Sequence, residues 1–181
     1  MKTLRSIATG IDAINEFVGT KIAWLALLMV LLQFVIVMLR YVFGLGWVAM
    51  QEVVVYLHAS LFMIAAGYTL RHNGHVRCDI FYAETTPRNR AWVDLIGSIV
   101  CLAPFCIVFW LVSWPYVAAS WAIHEGSPEG SLGLPLVYLL KSVMLAFAAL
   151  LGVQGIAMAI RSILVLVGAE RDMKPEEVEG I

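Results

Sequence analysis

The sequence has few charged residues for its length. Only 14% of its 181 residues are Asp, Glu, Lys or Arg, whereas soluble domains average about 25%. Hydrophobic residues make up 61% of the chain and fall in long uninterrupted runs, which excludes an ordinary soluble globular domain. The net charge is -1, so the composition gives no indication of nucleic-acid binding. We therefore expect a membrane protein without a nucleic-acid partner.

Cysteine is also scarce. Cys78, Cys101 and Cys106 form no CxxC or CxxH pattern, and the last two lie inside an apolar run. This spacing predicts neither a disulfide framework nor a metal site. We interpret these cysteines as small packing residues.

Ionisable residues are nearly missing from the apolar runs. The polar side chains expected at membrane depth are His58 and Gln33, while Asp94 and Lys141 lie near the ends of runs. Ion-coupled carriers need charged groups within their spans, and a four-helix haem anchor needs axial ligands on facing helices. Both classes are disfavoured for this chain. The simplest interpretation of His58 is a neutral side chain that hydrogen-bonds to a neighbouring helix, and we expect no catalytic residue, cofactor or metal.

Four apolar stretches are long enough to cross a bilayer. Such a helix needs about 20 apolar residues, because its backbone must satisfy its own hydrogen bonds. The sequence therefore predicts an all-α membrane domain over residues 22–167. Its four spans are predicted at about 22–43, 53–70, 92–116 and 137–160. Pro104 and Pro115 predict kinks in the third span or an early exit from the membrane, with its outer end near residues 112–116.

The basic residues predict the orientation of the spans. Three Lys or Arg precede the first span, four lie between the second and third, and three follow the fourth. The opposite side has Arg40 and Lys141. Because short basic loops stay in the cytoplasm, both termini are predicted to be cytoplasmic.

The two ends of the chain differ in character from the spans. Apolar residues recur three or four positions apart within residues 1–21, namely Leu4, Ile7, Ile11, Ile14 and Val18. Arg5, Asp12 and Glu16 lie between them, so this segment predicts an amphipathic helix at the inner membrane interface. Residues 168–181 are charged and lack such periodicity, which predicts a polar cytoplasmic tail.

Two opposite charges bracket the first outer connection. Arg40 precedes this loop and Glu52 follows it. The two could pair at the outer interface, or Arg40 could extend towards water beside a hydrated Glu52. Trp47 within the loop suits either the interfacial aromatic belt or a docking surface.

The loop between the second and third spans contains His72, His75 and Asp79. These residues could form a metal site, but the nearby Arg71 and Arg77 would oppose a cation. A structural role in a cytoplasmic loop is the alternative that we favour.

These loops, in this order on a four-span chain, resemble the small membrane subunit of tripartite ATP-independent periplasmic transporters, the DctQ-like family. The resemblance rests on Arg40–Tyr41 followed by Trp47 and Glu52, on Gly67–Arg71 with His75 and Asp79, on Arg88 or Arg90 before the third span, and on Glu125–Glu129 with Gly133–Pro135 and Lys141. The chain departs from the family pattern at Gln51, where a second acidic residue is usual, and at Cys78, where an aliphatic residue is typical.

The resemblance implies a non-catalytic scaffold subunit of a sodium-coupled, binding-protein-dependent secondary transporter in the bacterial inner membrane. Such transporters import organic acids, for example dicarboxylates, keto acids and sialic acids. The implied partners are a large multi-span permease subunit, a periplasmic solute-binding protein and the lipid membrane. The sodium coupling and the solute pathway are expected in the large subunit.

The resemblance also suggests roles for individual residues. Candidate residues for docking the binding protein are Arg40, Trp47, Glu52, Glu125 and Glu129, with a solvated acidic loop as the alternative for the last two. Candidate structural residues at a subunit interface or in the cytoplasmic loop are His58, Arg71, His75, Asp79, Arg88 and Lys141. The alternative function is a membrane anchor subunit of a redox enzyme complex.

Overall fold

The computed structural model describes residues 1–75 and 86–168. Within these ranges the chain is all-α and contains no β-strand. The helices are α1 (Lys2–Ile22), α2 (Trp24–Phe43), α3 (Val48–Ile64), α4 (Ala66–Arg71), α5 (Pro87–Ile96), α6 (Ala103–Ala122) and α7 (Val137–Leu166). A π-helical segment, Gly97–Leu102, joins α5 to α6, and a short 3₁₀ turn, Gly130–Leu132, precedes α7.

Consecutive helices form four apolar rods long enough to span a membrane. They cover Lys2–Phe43, Val48–Arg71, Pro87–Ala122 and Val137–Leu166, which confirms the predicted all-α architecture with four spans. The first rod covers 42 residues but has a turn at Ala23 between α1 and α2; at 1.5 Å per residue α2 alone is about 30 Å long, and a hydrocarbon core is about 30 Å thick. The 20 residues of α2 therefore suffice to cross it.

The four rods run antiparallel to their neighbours in the chain. Connections 44–47 and 123–136 lie at one end of the bundle, which we call the hairpin end, and the other end is the terminal end. Gly44 ends α2 with a left-handed φ of 66°. The N–H of Leu45 then bonds to the carbonyl of Leu39 at 3.0 Å, a Schellman closure that turns the chain into α3.

The third rod begins with a capped helix and contains two irregularities. The Thr86 hydroxyl accepts a hydrogen bond from the N–H of Asn89, and Pro87 occupies the first turn of α5, both of which favour a helix start. The π-helical segment ends two residues before Pro104, which has no backbone N–H to donate to the regular helical hydrogen bonds. The helix continues through Pro115 to Ala122, beyond the predicted outer end of the span near residues 112–116, and the position of that end in the membrane stays a prediction. A membrane helix tolerates proline where its neighbours satisfy the freed carbonyl.

Helix α7 is the centre of the bundle and contacts α1, α3, α4, α5 and α6. Its buried positions include several small residues, namely Ala148, Gly155, Ala157 and Ser162. A Cβ added at Gly155 would lie 2.6 Å from a methyl group of Leu102, so small side chains permit the close approach of these helices. Helix α2 instead packs chiefly on α3, and Ile36 is its one buried residue.

Helix α1 packs on the bundle through its polar side. Its buried residues are Ala8, Asp12, Asn15 and Gly19, whereas Leu4, Ile7 and Ile14 are exposed. The apolar periodicity of residues 1–21 correctly indicated a helix, but it gave no sign that the intervening polar residues would face the protein. The location of α1 at a membrane interface stays a prediction.

Candidate functional site

Glu52 connects the two loops at the hairpin end. It lies in the first turns of α3, and its Oε2 accepts a hydrogen bond from the backbone N–H of Leu134 at 2.6 Å. Its Oε1 accepts a second hydrogen bond from the hydroxyl of Ser127. Both partners belong to the 123–136 connection. Glu52 therefore holds this connection against the start of α3.

Gly133 allows this close contact between the loop and α3. A Cβ at this position would lie 2.8 Å from Oε1 of Glu52 and even closer to the hydroxyl of Ser127. Because no side chain fits in that space, a residue other than glycine would push the loop away from the carboxylate.

A second contact joins the same connection to α7 and α6. Lys141 of α7 forms an ion pair with Glu125, and its ammonium lies 3.9 Å from the ring centroid of Tyr116 on α6. The Lys141 ammonium holds the pKa of Glu125 below its usual range, which keeps the carboxylate charged at neutral pH. Lys141, predicted as a structural residue, thus meets a residue predicted for docking.

Aromatic contacts also hold the 123–136 connection in place. The indole N–H of Trp121 donates to the hydroxyl of Ser142 at 2.8 Å, and its ring contacts Tyr138 edge-on with centroids 4.8 Å apart. The ring of His124 also contacts Tyr138. The segment that leaves α6 is therefore tied to the first turns of α7.

The remaining predicted docking residues point away from the protein. Arg40 and Glu129 are exposed, and Trp47 has 55% of its surface accessible. Among residues 1–75 and 86–168, Arg40 forms no ion pair with Glu52, because the carboxylate is engaged by the other loop. Of the five predicted docking residues, Arg40, Trp47 and Glu129 are thus free to meet a partner, while Glu52 and Glu125 fix the loop.

A charged cluster at the terminal end ties α1 to α4. The carboxylate of Glu16 forms an ion pair with Arg71, and the Nε2 of His72 lies 2.8 Å from the same oxygen. The rings of Tyr68 and His72 contact each other at 4.3 Å. Arg71, predicted as a cytoplasmic-loop residue, therefore holds the N-terminal helix in place.

A chain of buried hydrogen bonds ties α1 to α7. The Asn15 amide donates to Oε1 of Gln154 at 2.9 Å, and the Gln154 amide donates to Asp12 at 2.8 Å. The other oxygen of Asp12 pairs with Arg161. Asn15, Gln154 and Asp12 are each at most 4% exposed, so this network is shielded from solvent within the protein.

Sequence reasoning missed this network. It named His58 and Gln33 as the polar side chains at membrane depth, but Gln154 also lies inside the fourth span. The available signal was the spacing of Asp12, Asn15 and Glu16, which places three polar side chains on one face of α1. A polar stripe on a helix and a lone glutamine in a span predict a contact between helices.

The other predicted structural residues do not join a common site. His58 is exposed and contacts Phe62 within its own helix, with ring centroids 4.7 Å apart. Among the described residues it has no hydrogen bond to a neighbouring helix, so its hydrogen bond to another helix stays a prediction. His75 and Arg88 are exposed, and Asp79 lies outside the described residues. Within those residues no group of three metal-ligating side chains occurs.

Within residues 1–75 and 86–168 the site is therefore built from fixed loops and contacts between helices. The family model for the DctQ component of tripartite ATP-independent periplasmic transporters matches residues 29–165. The chain belongs to the DctQ family. A DctQ chain is the small component of these transporters and not an enzyme, which confirms the resemblance seen in the sequence and disfavours the redox-anchor alternative. The chain has no significant match among curated proteins or solved structures.

Proposed function

We propose that this DctQ chain is the scaffold subunit of a sodium-coupled importer of organic acids in the bacterial inner membrane. It braces a large multi-span permease subunit, which carries the sodium and solute pathways, and it helps to dock a periplasmic solute-binding protein. Family membership supports the transporter role. In this proposal both termini are cytoplasmic and the hairpin end faces the periplasm.

The observation that carries the docking proposal is the fixed 123–136 connection. Glu52 and Lys141 hold this loop from two sides, while Glu129 on the loop and Arg40 and Trp47 on the neighbouring turn remain exposed. A preformed surface that presents both charge signs and an aromatic ring suits a transient protein partner. Rim charges of this kind affect the rate of encounter more than the final affinity.

Charge reversal at the exposed positions tests this proposal. In proteoliposomes that contain both membrane subunits, Arg40→Glu or Glu129→Lys should lower binding-protein-dependent uptake roughly tenfold at low salt, because steering charges set the encounter rate. The loss should shrink at high salt, where these charges are screened. Uptake of radiolabelled dicarboxylates, keto acids and sialic acids under a sodium gradient gives the readout.

The control is assembly of the membrane subunits. Both variants should co-purify the large subunit in the same amount as the unmodified chain, since both side chains are exposed. Unchanged uptake at low salt with either variant would contradict the docking role of that residue. A haem spectrum or a soluble catalytic partner in the purified complex would contradict the transporter role itself.

A further inference from the structure

Among the described residues, polar side chains of α6 and α7 are buried within the bundle, whereas two polar side chains on α2 and α3 are exposed. Ser113 and Ser120 of α6 and Gln154 of α7 all face the interior. In contrast, Gln33 on α2 and His58 on α3 are exposed, and neither has a hydrogen-bond partner among residues 1–75 and 86–168. These two helices therefore differ from the rest of the bundle.

Gln33 and His58 lie at the same depth in the membrane. Helices α2 and α3 form an antiparallel hairpin, with Gln33 ten residues before the end of α2 at Phe43 and His58 ten residues after the start of α3 at Val48. At 1.5 Å per residue each is about 15 Å from the turn. Half of a hydrocarbon core of about 30 Å is the same distance, so both side chains lie near the bilayer midplane.

The two side chains also lie on the same side of the hairpin. The exposed residues of α3 recur every three or four positions and form one stripe, namely Gln51, Val55, His58 and Phe62. On α2, Gln33 lies about 60° around the helix from Ile36, the buried residue of the α3-facing stripe. Glu52 bonds to the loop before α7, which shows the side of α3 that faces α7. On helical wheels oriented in this way, Gln33 and His58 both lie on the side of the hairpin opposite α7.

Lipid is an unsuitable neighbour for these groups. A glutamine amide and a neutral imidazole each offer a donor and an acceptor, and acyl chains satisfy neither, so polar side chains within membranes normally face protein. The middle of α6 shows the expected lipid-facing pattern, with Ile107, Val108 and Leu111 exposed. The exposed side of the α2–α3 hairpin instead carries the polar side chains of Gln33 and His58 at a similar depth.

We propose that the α2–α3 face, defined by Gln33, Val37, Val55, His58 and Phe62, is the surface on which the large permease subunit packs. Gln33 and His58 hydrogen-bond there to polar groups of that subunit at the bilayer midplane, and the three apolar residues pack around them. The proposal rests on the proposed function, which supplies the large subunit as partner. The peripheral position of α2, which packs chiefly on α3, leaves this face accessible to another chain.

Site-specific photo-crosslinking in native membranes tests the face directly. A benzophenone amino acid replaces Val37, Val55 or Phe62 in a tagged chain, and the matched controls replace Ile107 or Leu111 on α6. We expect adducts between the first three positions and a many-span membrane protein identified by mass spectrometry, and no such adduct from the controls. Adducts only from α6, or adducts at twice the 20.0 kDa mass of this chain, would overturn the proposal.

A double substitution tests the polar pair. Gln33→Leu with His58→Leu should lower the amount of large subunit that co-purifies roughly tenfold, as expected for losing two hydrogen bonds between membrane helices. His58→Gln alone should retain most of the co-purifying large subunit.

The double variant without its partner should stay folded, as judged by circular dichroism, because leucine side chains are compatible with a lipid environment. Unchanged co-purification would overturn the role of the pair, and a wild-type chain that brings no many-span partner would overturn the proposed function and this inference together.

Discussion

At the scale of single residues, the carboxylate of Glu52 illustrates how one side chain positions a surface. The sequence placed it beside Arg40 and suggested an ion pair or a docking role. Its two oxygens instead accept hydrogen bonds from Ser127 and Leu134, which are more than 70 residues away along the chain. Its contribution to docking is therefore indirect, because it orders the loop that carries Glu129.

Replacing this carboxylate should loosen the loop. In Glu52→Ala the N–H of Leu134 loses its acceptor, and we expect a nitroxide spin label at Ser131 to become more mobile in electron paramagnetic resonance spectra. Glu52→Gln should have a smaller effect, because the amide oxygen can still accept one hydrogen bond.

Glu129→Ala is the matched control, since Glu129 lies on the same loop and its side chain is exposed. This control should leave the spectrum of the Ser131 label unchanged. Equal spectra for Glu52→Ala and the unmodified chain would show that the carboxylate does not order the loop.

At the scale of elements, the packing of α1 differs most from the packing that its sequence pattern predicts. An amphipathic helix beside a membrane is expected to bind lipid with its apolar side and water with its polar side. Here the polar side binds α7 and α4 through Asp12, Asn15 and Glu16. In a membrane, apolar contacts between helices resemble contacts between helices and lipid. Hydrogen bonds between helices therefore determine which helix faces pack together.

Breaking the α1–α7 network should destabilise the chain. Asp12→Ala removes the acceptor of Gln154 and the partner of Arg161, and leaving buried polar groups unpaired costs about 1–3 kcal/mol. Unfolding in mixtures of mild detergent and dodecyl sulfate should shift to lower denaturant concentration. Asp12→Asn should shift it less, because the amide oxygen still accepts from Gln154.

The control for this shift is Thr9→Ala on the same helix. Thr9 is exposed, and its hydroxyl donates to the carbonyl of Arg5 one turn earlier in the same helix. An Asp12→Ala transition equal to that of Thr9→Ala would contradict a stabilising role for the network.

At the scale of the whole molecule, the four spans fix which loops share a side of the membrane. Connections 44–47 and 123–136 lie together at the hairpin end, and among the described basic residues Arg71, Arg88 and Arg161 lie towards the terminal end. The excess of Lys and Arg at the terminal end predicts that this end is cytoplasmic.

Thiol labelling in intact spheroplasts checks this orientation. In a variant whose native cysteines are replaced, Gly46→Cys and Ser131→Cys should react with a membrane-impermeant maleimide, because both positions lie at the hairpin end. His75→Cys, exposed at the terminal end, should react only after lysis. The opposite labelling pattern would reverse the orientation and remove the docking surface from the periplasm.

The sequence predicted the helical architecture more completely than it predicted the contacts between helices. Long apolar runs must become membrane helices, because an unpaired backbone is too costly in lipid, so the four spans could be found without any tertiary information. The prolines of the third span predicted kinks or an early exit from the membrane, and the helix continues through Pro115, so the outer end of this span stays a prediction. The motifs that carry the family resemblance were local, and the family match confirms that resemblance.

By itself, the sequence determined the number of spans, the helical class and the family, since each follows from composition or short motifs along the chain. Only the tertiary structure decided which polar groups meet. Asp12 and Gln154 are 142 residues apart, and Glu52 and Leu134 are 82 apart. Such pairs arise from how helices pack and turn towards one another. Periodicity reports the faces of a single helix and cannot report which helix each face will meet.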